Sequence, residues 1–226
     1  MRKGGKRLGA LERQFAPPRL PVHDLIEQRA RLTQDAGERP LWQGYKGLKD
    51  YPHVIGEDAA RSAGQVSTTS RTGVWFTWLA QTVGDPIVVE FGTAFGSSGM
   101  YWLAGIGRGH LYTFDPNTDW ADFARKNLES VSDQFTLTLD TFESAGPKLV
   151  EPNSVDVGFI DAIHTKEFVD AQYEILRPMM KPGGIVLFDD IRFSPSMKEC
   201  WSDMTKRPEF VGVATIGGRV GVAELA

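Results

Sequence analysis

Three short apolar runs in this chain end in acids. Phe159-Ile160-Asp161-Ala162-Ile163-His164 sets a histidine three residues after a run-end aspartate. Lys181-Pro182-Gly183-Gly184 feeds Ile185-Val186-Leu187-Phe188, which closes in Asp189-Asp190. Tyr112-Thr113-Phe114 closes in Asp115-Pro116. Brought to one sheet edge, Asp161, Asp189 and Asp190 repel and raise one another's pKa. A hard divalent cation resolves that repulsion, and oxygen-only ligands favour magnesium, manganese or calcium. The alternative is that one aspartate ligates nothing and caps the following segment. An imidazole coupled to a strand-end carboxylate suits proton transfer near neutral pH, which makes His164 and Asp161 the candidate catalytic pair.

A fourth apolar run, Pro86–Phe91, carries Glu90 and opens into Gly92-Thr93-Ala94-Phe95-Gly96-Ser97-Ser98. Glycines there let a ligand approach the backbone, and a following helix offers unpaired N–H groups. The spacing is G-x-x-x-G, without the G-x-G-x-x-G that brings a dinucleotide pyrophosphate onto a helix. Glu90 repels a pyrophosphate and suits a cationic or hydroxyl-rich ligand. Asp115, about twenty residues beyond the loop, is placed to accept both hydroxyls of a ribose, although Asp before Pro also starts turns.

These residues need a scaffold that holds strand ends together, and the pattern supplies one. Strand candidates at 86–91, 111–114, 135–139, 155–160 and 184–188 alternate with helix candidates at 72–83, 97–106, 120–131 and 167–176. Such alternation predicts βαβ units and an α/β, Rossmann-like sheet that is mostly parallel, and near-continuous apolar strands predict helices on both faces. Phe210–Ile216, Gly217-Gly218 and Val220–Leu225 read as a terminal hairpin. Upstream, 23–33 reads as a short helix, and 40–60, rich in Gly, Pro and aromatics, as an irregular cap. Residues 1–60 are therefore expected to form a basic arm and lid, and 61–226 the main domain.

The chain has 226 residues with 41% hydrophobic and 24% charged, enough for a full core without staples. A single cysteine, Cys200, excludes a disulfide framework and a cysteine-based zinc site. No apolar run approaches a membrane span, and the first thirty residues lack the apolar core of a signal peptide, so a soluble, cytoplasmic protein is expected. The net charge of −4 hides an asymmetry: residues 1–20 hold six basic residues and one acid, leaving −9 for the rest. That is a poor footprint for nucleic acid. The basic segment reads as a solvated tail or as an arm touching a partner subunit or an anionic substrate, and a homo-oligomer through it is compatible with the sequence. Trp42, Tyr45 and Tyr51 read as lid packing, or as a surface that stacks on an aromatic or sugar ring.

The run Glu90–Gly96 resembles the first motif of class I S-adenosylmethionine-dependent methyltransferases. The stretch from Phe159 through Lys181-Pro182-Gly183-Gly184 to Asp190 resembles the metal-dependent O-methyltransferases, both the catechol type and the bacterial sugar and natural-product type with an Asp-x-x-His signature. The resemblance spans about 65–226. It implies a seven-stranded sheet of order 3-2-1-4-5-7-6 with the seventh strand antiparallel. It also implies that Glu90, Gly92, Thr93, Gly96 and Ser97 line the methionine part of the cofactor, with Ser67 near its carboxylate and Asp161 close by. Asp115 then holds the ribose, and Thr141 and Phe142 lie at the adenine. Asp161, Asp189 and Asp190 fall on the metal ligands, the third being often Asn in the catechol group. His164 falls where that group places a lysine as general base.

The chemistry expected is methyl transfer to a hydroxyl of a small molecule, with a vicinal diol or catechol best able to chelate the metal. The nearest rival is a metal-independent methyltransferase of the same fold. A nicotinamide oxidoreductase is disfavoured by the glycine spacing, and a base methyltransferase by the absence of an Asn-Pro-Pro-aromatic motif. A cofactor-binding protein without turnover is the remaining alternative.

Overall fold

The computed structural model describes residues 7–9, 16–44 and 60–226. Tyr45 and Tyr51, and most of the basic arm, lie outside these residues. Alternating strands and helices pair as parallel β3 (Ile87–Phe91), β4 (His110–Phe114), β5 (Phe135–Thr138), β6 (Val155–Ile160) and β7 (Met180–Phe188). The hairpin β8 (Phe210–Ile216) and β9 (Val220–Leu225) completes the sheet. The order is β5-β4-β3-β6-β7-β9-β8, with β9 antiparallel to both neighbours. That is the order, and the antiparallel seventh strand, that the resemblance implies. A further two-residue pair, β1 (Arg39–Pro40) with β2 (Ala60–Arg61), stands apart.

Side chains alternate across this sheet because strand residues have period two. Val88, Val157, Phe159, Ile185, Leu187 and Val222 bury against α1 (Val22–Gln34), α3 (Ser70–Val83), α4 (Ser97–Leu103) and α5 (Thr118–Glu129). On that face the rings of Phe76 and Trp102 stack at 4.4 Å and 6°. Val89, Phe91, Ile160, Val186 and Phe188 bury against α6 (Phe142–Leu149), α7 (Lys166–Leu176) and α8 (Pro195–Met204). A four-residue α2 (Ala63–Val66) precedes α3.

Several boundaries differ from the sequence pattern for local reasons. Strand β7 begins at Met180 rather than Gly184, because Met180 already pairs with Val155 before a register shift through Lys181-Pro182-Gly183. Helix α6 carries Gly146 and Pro147, which hide it from the pattern; Thr141 starts it by accepting the Ser144 N–H at 3.3 Å. Part of the basic segment is not solvated. Leu8 is buried, its N–H and that of Arg7 donate to the buried Glu224 carboxylate at 2.8 and 3.3 Å, and Arg7 reaches Asp156 at 3.6 Å. These contacts lie at the amino-terminal edge of the sheet, away from the acids. No helix among the described residues is long and apolar enough to cross a membrane.

The first helix is locked by a histidine. His23 is fully buried; Nδ1 accepts the Leu20 N–H at 3.1 Å and Nε2 lies 3.1 Å from Thr77 Oγ1. Thr77 Oγ1 donates to the Tyr101 carbonyl at 2.8 Å, so Nε2 carries the proton and the ring is neutral. Burial, then the nearby Arg19 charge, pushes the His23 pKa down. The unfolded chain takes up a proton below pH ~6.5 that the fold resists, so this contribution is complete above that pH and is lost as pH falls. Thermal melts from pH 7.5 to 5.0 should show His23→Gln less stable than the parent by about 1–3 kcal/mol at pH 7.5, with the gap narrowing toward pH 5. A constant gap rules the linkage out.

Candidate active site

The hydrogen-bond ladder runs one residue past the strand ends and holds the acids. Asp115 N–H donates to the Thr138 carbonyl at 3.0 Å, Asp161 N–H to Phe91 at 3.1 Å, and Asp189 N–H to Ile160 at 3.0 Å. Gly92 N–H donates to Phe114 at 2.9 Å. The carboxyl edge of four neighbouring strands, β4, β3, β6 and β7, roughly 14 Å across at sheet spacing, thus carries these residues in one row. Between β3 and β6 the strand order reverses, the place where open α/β sheets bind ligands.

A cavity of about 530 Å³ opens over that edge. Its wall includes Gly92, Thr93, Ser97, Asp115, Thr141 and Phe142, together with Asp161, His164 and Asp190. Leu41, Trp42, Arg61 and Gln65, from the segment before the main sheet, contribute a further side. Trp42 of the expected aromatic cluster is therefore at the cavity.

Four expected residues stand behind the wall. Glu90 is buried under the glycine loop: Thr113 Oγ1 donates to it at 2.7 Å, and Thr93 Oγ1 bonds Thr113 Oγ1 at 2.6 Å. Burial pushes Glu90 up to about 7 against the opposing bonds from Ser98 and Thr113. Gly96 takes the left-handed turn into α4 at φ 81°, and a side chain there would press on Ala124 of α5. Ser67 Oγ donates to the Ala63 carbonyl at 2.5 Å, so it fastens α2 while its neighbour Thr68 faces the cavity. Asp189 is buried behind Asp190.

Asp115 is built to stay put. Its Oδ2 accepts the Ala94 N–H at 2.7 Å and its Oδ1 the Asn117 N–H at 2.8 Å. Burial raises its pKa to about 6, while those two N–H bonds favour the charge. Each oxygen keeps a second acceptor direction, which fits two vicinal hydroxyls. The apolar flanks Phe142 and Pro116 suit a flat ring. Ala94 and Asp190 both adopt left-handed backbone, at φ 46° and 51°, so the loop and the acid pair hold strain at the cavity.

At the other end His164 Nε2 lies 3.6 Å from Asp161 Oδ1 and 3.7 Å from Asp190 Oδ2, with its ring against Phe193 at 5.5 Å. Burial and then the Asp189 charge raise Asp161 well above the usual carboxylate range. The acids are not left to repel one another unaided, as the sequence reading supposes. Arg219 Nη2 donates to Asp189 Oδ2 at 2.7 Å, and its Nε lies 3.2 Å from Asp189 Oδ1 and 2.8 Å from Asp190 Oδ1. Arg219 follows the Gly217-Gly218 turn, thirty residues from the acids, and carries no local signal. Glu143, Gln172, Phe168 and Phe193 also line the cavity and were not expected.

Three carboxyl groups stand against one guanidinium, and a divalent ion would offset the excess of acid over base. Ligand atoms of Asp161, His164 and Asp189 all lie within 4.8 Å of one another. The donor set of oxygens with one imidazole nitrogen fits a hard or borderline divalent ion.

Comparisons with known proteins find methyltransferases in sequence and in fold. The profile of a family described as a methyltransferase domain matches residues 89–191. A probable caffeoyl-CoA O-methyltransferase 3 of Dictyostelium discoideum is 27% identical over 175 residues, 75% of this chain and 67% of the relative. Among solved structures, an O-methyltransferase of Streptomyces achromogenes involved in tomaymycin synthesis, in complex with S-adenosylmethionine, superposes with TM-score 0.62 at 14% identity, covering 97% of this chain and 96% of that one. An O-methyltransferase of Bacillus cereus in complex with S-adenosylhomocysteine superposes with TM-score 0.59 at 17% identity, covering 97% and 96%.

The tightest contact in the site gives a test. A Cβ on Gly92, at φ 90°, would meet the Asp161 carbonyl oxygen at 2.4 Å. Gly92→Ala should cost about 2–4 kcal/mol in chemical denaturation, from the left-handed conformation and the backbone clash together. An unchanged midpoint contradicts the close approach of β3 and β6.

Proposed function

We infer that this chain, which is a class I S-adenosylmethionine-dependent O-methyltransferase, methylates a hydroxyl of a small molecule carrying two adjacent oxygens, such as a sugar, a catechol or a natural-product diol. The observation that carries the reading is a single cavity that joins the glycine loop and Asp115 to the Asp161–His164–Asp190 cluster. In it the cofactor rests on Gly92, Thr93 and Ser97, with Glu90, Gly96 and Ser67 shaping the wall from behind. Asp115 accepts the ribose hydroxyls, and Thr141 and Phe142 flank the adenine. S-adenosylmethionine supplies a methyl group on a sulfonium, electrophilic toward an oxyanion.

Asp161, Asp189 and Asp190 are the residues that would hold a divalent ion. Such an ion, magnesium or a related hard cation, lowers the pKa of a hydroxyl it touches by several units. His164 Nε2 takes the hydroxyl proton, and the imidazolium so formed is stabilised by Asp161 and Asp190 on either side. Phe193 and Phe168 pack around the imidazole end of the cavity and limit water there.

A second reading of one residue has its own support. Because His164 groups with Asp161 and Asp189 within 4.8 Å, it is a candidate ligand in place of Asp190. The two roles separate in His164→Ala. As base, its loss lowers kcat on the order of 10²–10⁴-fold with Mn²⁺ affinity unchanged; as ligand, its loss weakens Mn²⁺ binding.

Calorimetric titration with S-adenosylhomocysteine, with NAD as control, tests the cofactor. Micromolar binding that falls at least about tenfold in Asp115→Ala is expected, because a bidentate contact to two hydroxyls is lost; NAD should be silent. Acceptor screening with diols and catechols then follows, and full activity in excess chelator would remove the metal from the reading.

A further inference from the structure

Arg219 is a charged group of the site that the methyl-transfer reading leaves without a task. Both ends of its backbone are tied to the site: its N–H donates to the Ile216 carbonyl at 3.1 Å, closing the hairpin turn, and its carbonyl accepts the Ile191 N–H at 3.1 Å, next to the acid pair. The guanidinium spans Asp189 and Asp190, contacting both oxygens of the first and Oδ1 of the second. Its side chain is 45% exposed and lines the cavity, whereas the Asp189 side chain it covers is 5% exposed. Asp161 and Asp190 line the cavity beside it, with Asp161 Oδ1 and Asp190 Oδ2 facing His164.

We propose that Arg219 is a built-in cation that shares the aspartate cluster with a divalent ion and holds the affinity for that ion low. This rests on the metal reading above. A fixed guanidinium on two of the three carboxylates does two things. It keeps Asp189 and Asp190 together when no ion is bound, so the strand ends do not splay from repulsion. It also opposes a second cation a few ångströms away, in surroundings where charges interact far more strongly than in water. The planar fork fixes this charge in position, which a lysine ammonium does less well. Metal then binds as an exchangeable partner.

Mn²⁺ binding to the full chain, read by calorimetry and by the loss of the free-ion electron paramagnetic resonance signal, separates the possibilities. Arg219→Met removes the charge, and its Mn²⁺ dissociation constant should fall at least about tenfold. Arg219→Lys keeps the charge and should stay within about threefold of the parent. Arg219→Gln, which keeps a donor for Asp189, should change in the same direction as Met and replaces it if Met fails to fold. S-adenosylhomocysteine binding reports folding in each protein. If Met, Gln and Lys all bind Mn²⁺ more weakly, Arg219 positions ligands instead of opposing the ion, and the proposal is overturned. Equal affinity in all four proteins also overturns it. If none binds Mn²⁺ while S-adenosylhomocysteine still binds, the metal reading and this proposal fall together and cofactor recognition stands.

Discussion

The site depends on one constraint, the register of a parallel ladder carried a single residue beyond its strands. Asp115, Asp161 and Asp189 each donate a backbone N–H to the last carbonyl of the neighbouring strand. A slip of one residue would turn each acid to the opposite face of the sheet, into apolar layers built from Val, Ile and Phe. The burial that specifies register therefore also places the carboxylates. Gly92 belongs to the same constraint, since β3 and β6 approach closely enough that its missing Cβ is what lets the Asp161 carbonyl lie beside it.

Both chain termini serve this edge from a distance. Arg7 and Leu8 fasten to Glu224 and Asp156 at the amino-terminal edge of the sheet, where Lys181 also bonds Asp156 at 2.7 Å. The last two strands fold back in a hairpin whose turn returns a cation to the carboxyl edge. The one antiparallel strand of this sheet, β9, thus sets the end at which the hairpin turn lies. A parallel strand in its place would put the hairpin turn at the wrong end, and Arg219 would not reach Asp189.

What was legible in the sequence is local. Strand-end acids, the glycine loop and the terminal hairpin are written in consecutive residues, and β6, β8 and β9 fall on the residues the pattern marks. The sheet order required the family resemblance as well, because parallel pairing leaves little trace in a pattern of apolar runs. What was not legible is pairwise and long-range. Arg219 follows an ordinary glycine turn, and nothing nearby says that its partners are Asp189 and Asp190. His23 reads as one residue of a short helix until Thr77, over fifty residues away, closes on it. Gln172 and Glu143 meet at 2.8 Å from two helices, one of them obscured by Gly146 and Pro147.

Glu90, Asp115 and Asp189 are buried and Asp161 is half-buried at the cavity wall, and the four differ in how their charge is answered. Glu90 is met by hydroxyls, Asp115 by backbone N–H groups and Asp189 by a guanidinium. Asp161 instead stands against another carboxylate, Asp189, and burial and that neighbour raise its pKa well above the ordinary value. Each of the first three is held by something the fold supplies permanently. Asp161 is the position where the fold leaves negative charge incompletely answered, next to His164 and at the point where the strand order reverses. A cation arriving from outside, whether a proton on His164 or a divalent ion, gains most there. The physical reason for placing the chemistry at that end of the cavity is this imbalance, more than the presence of any one residue.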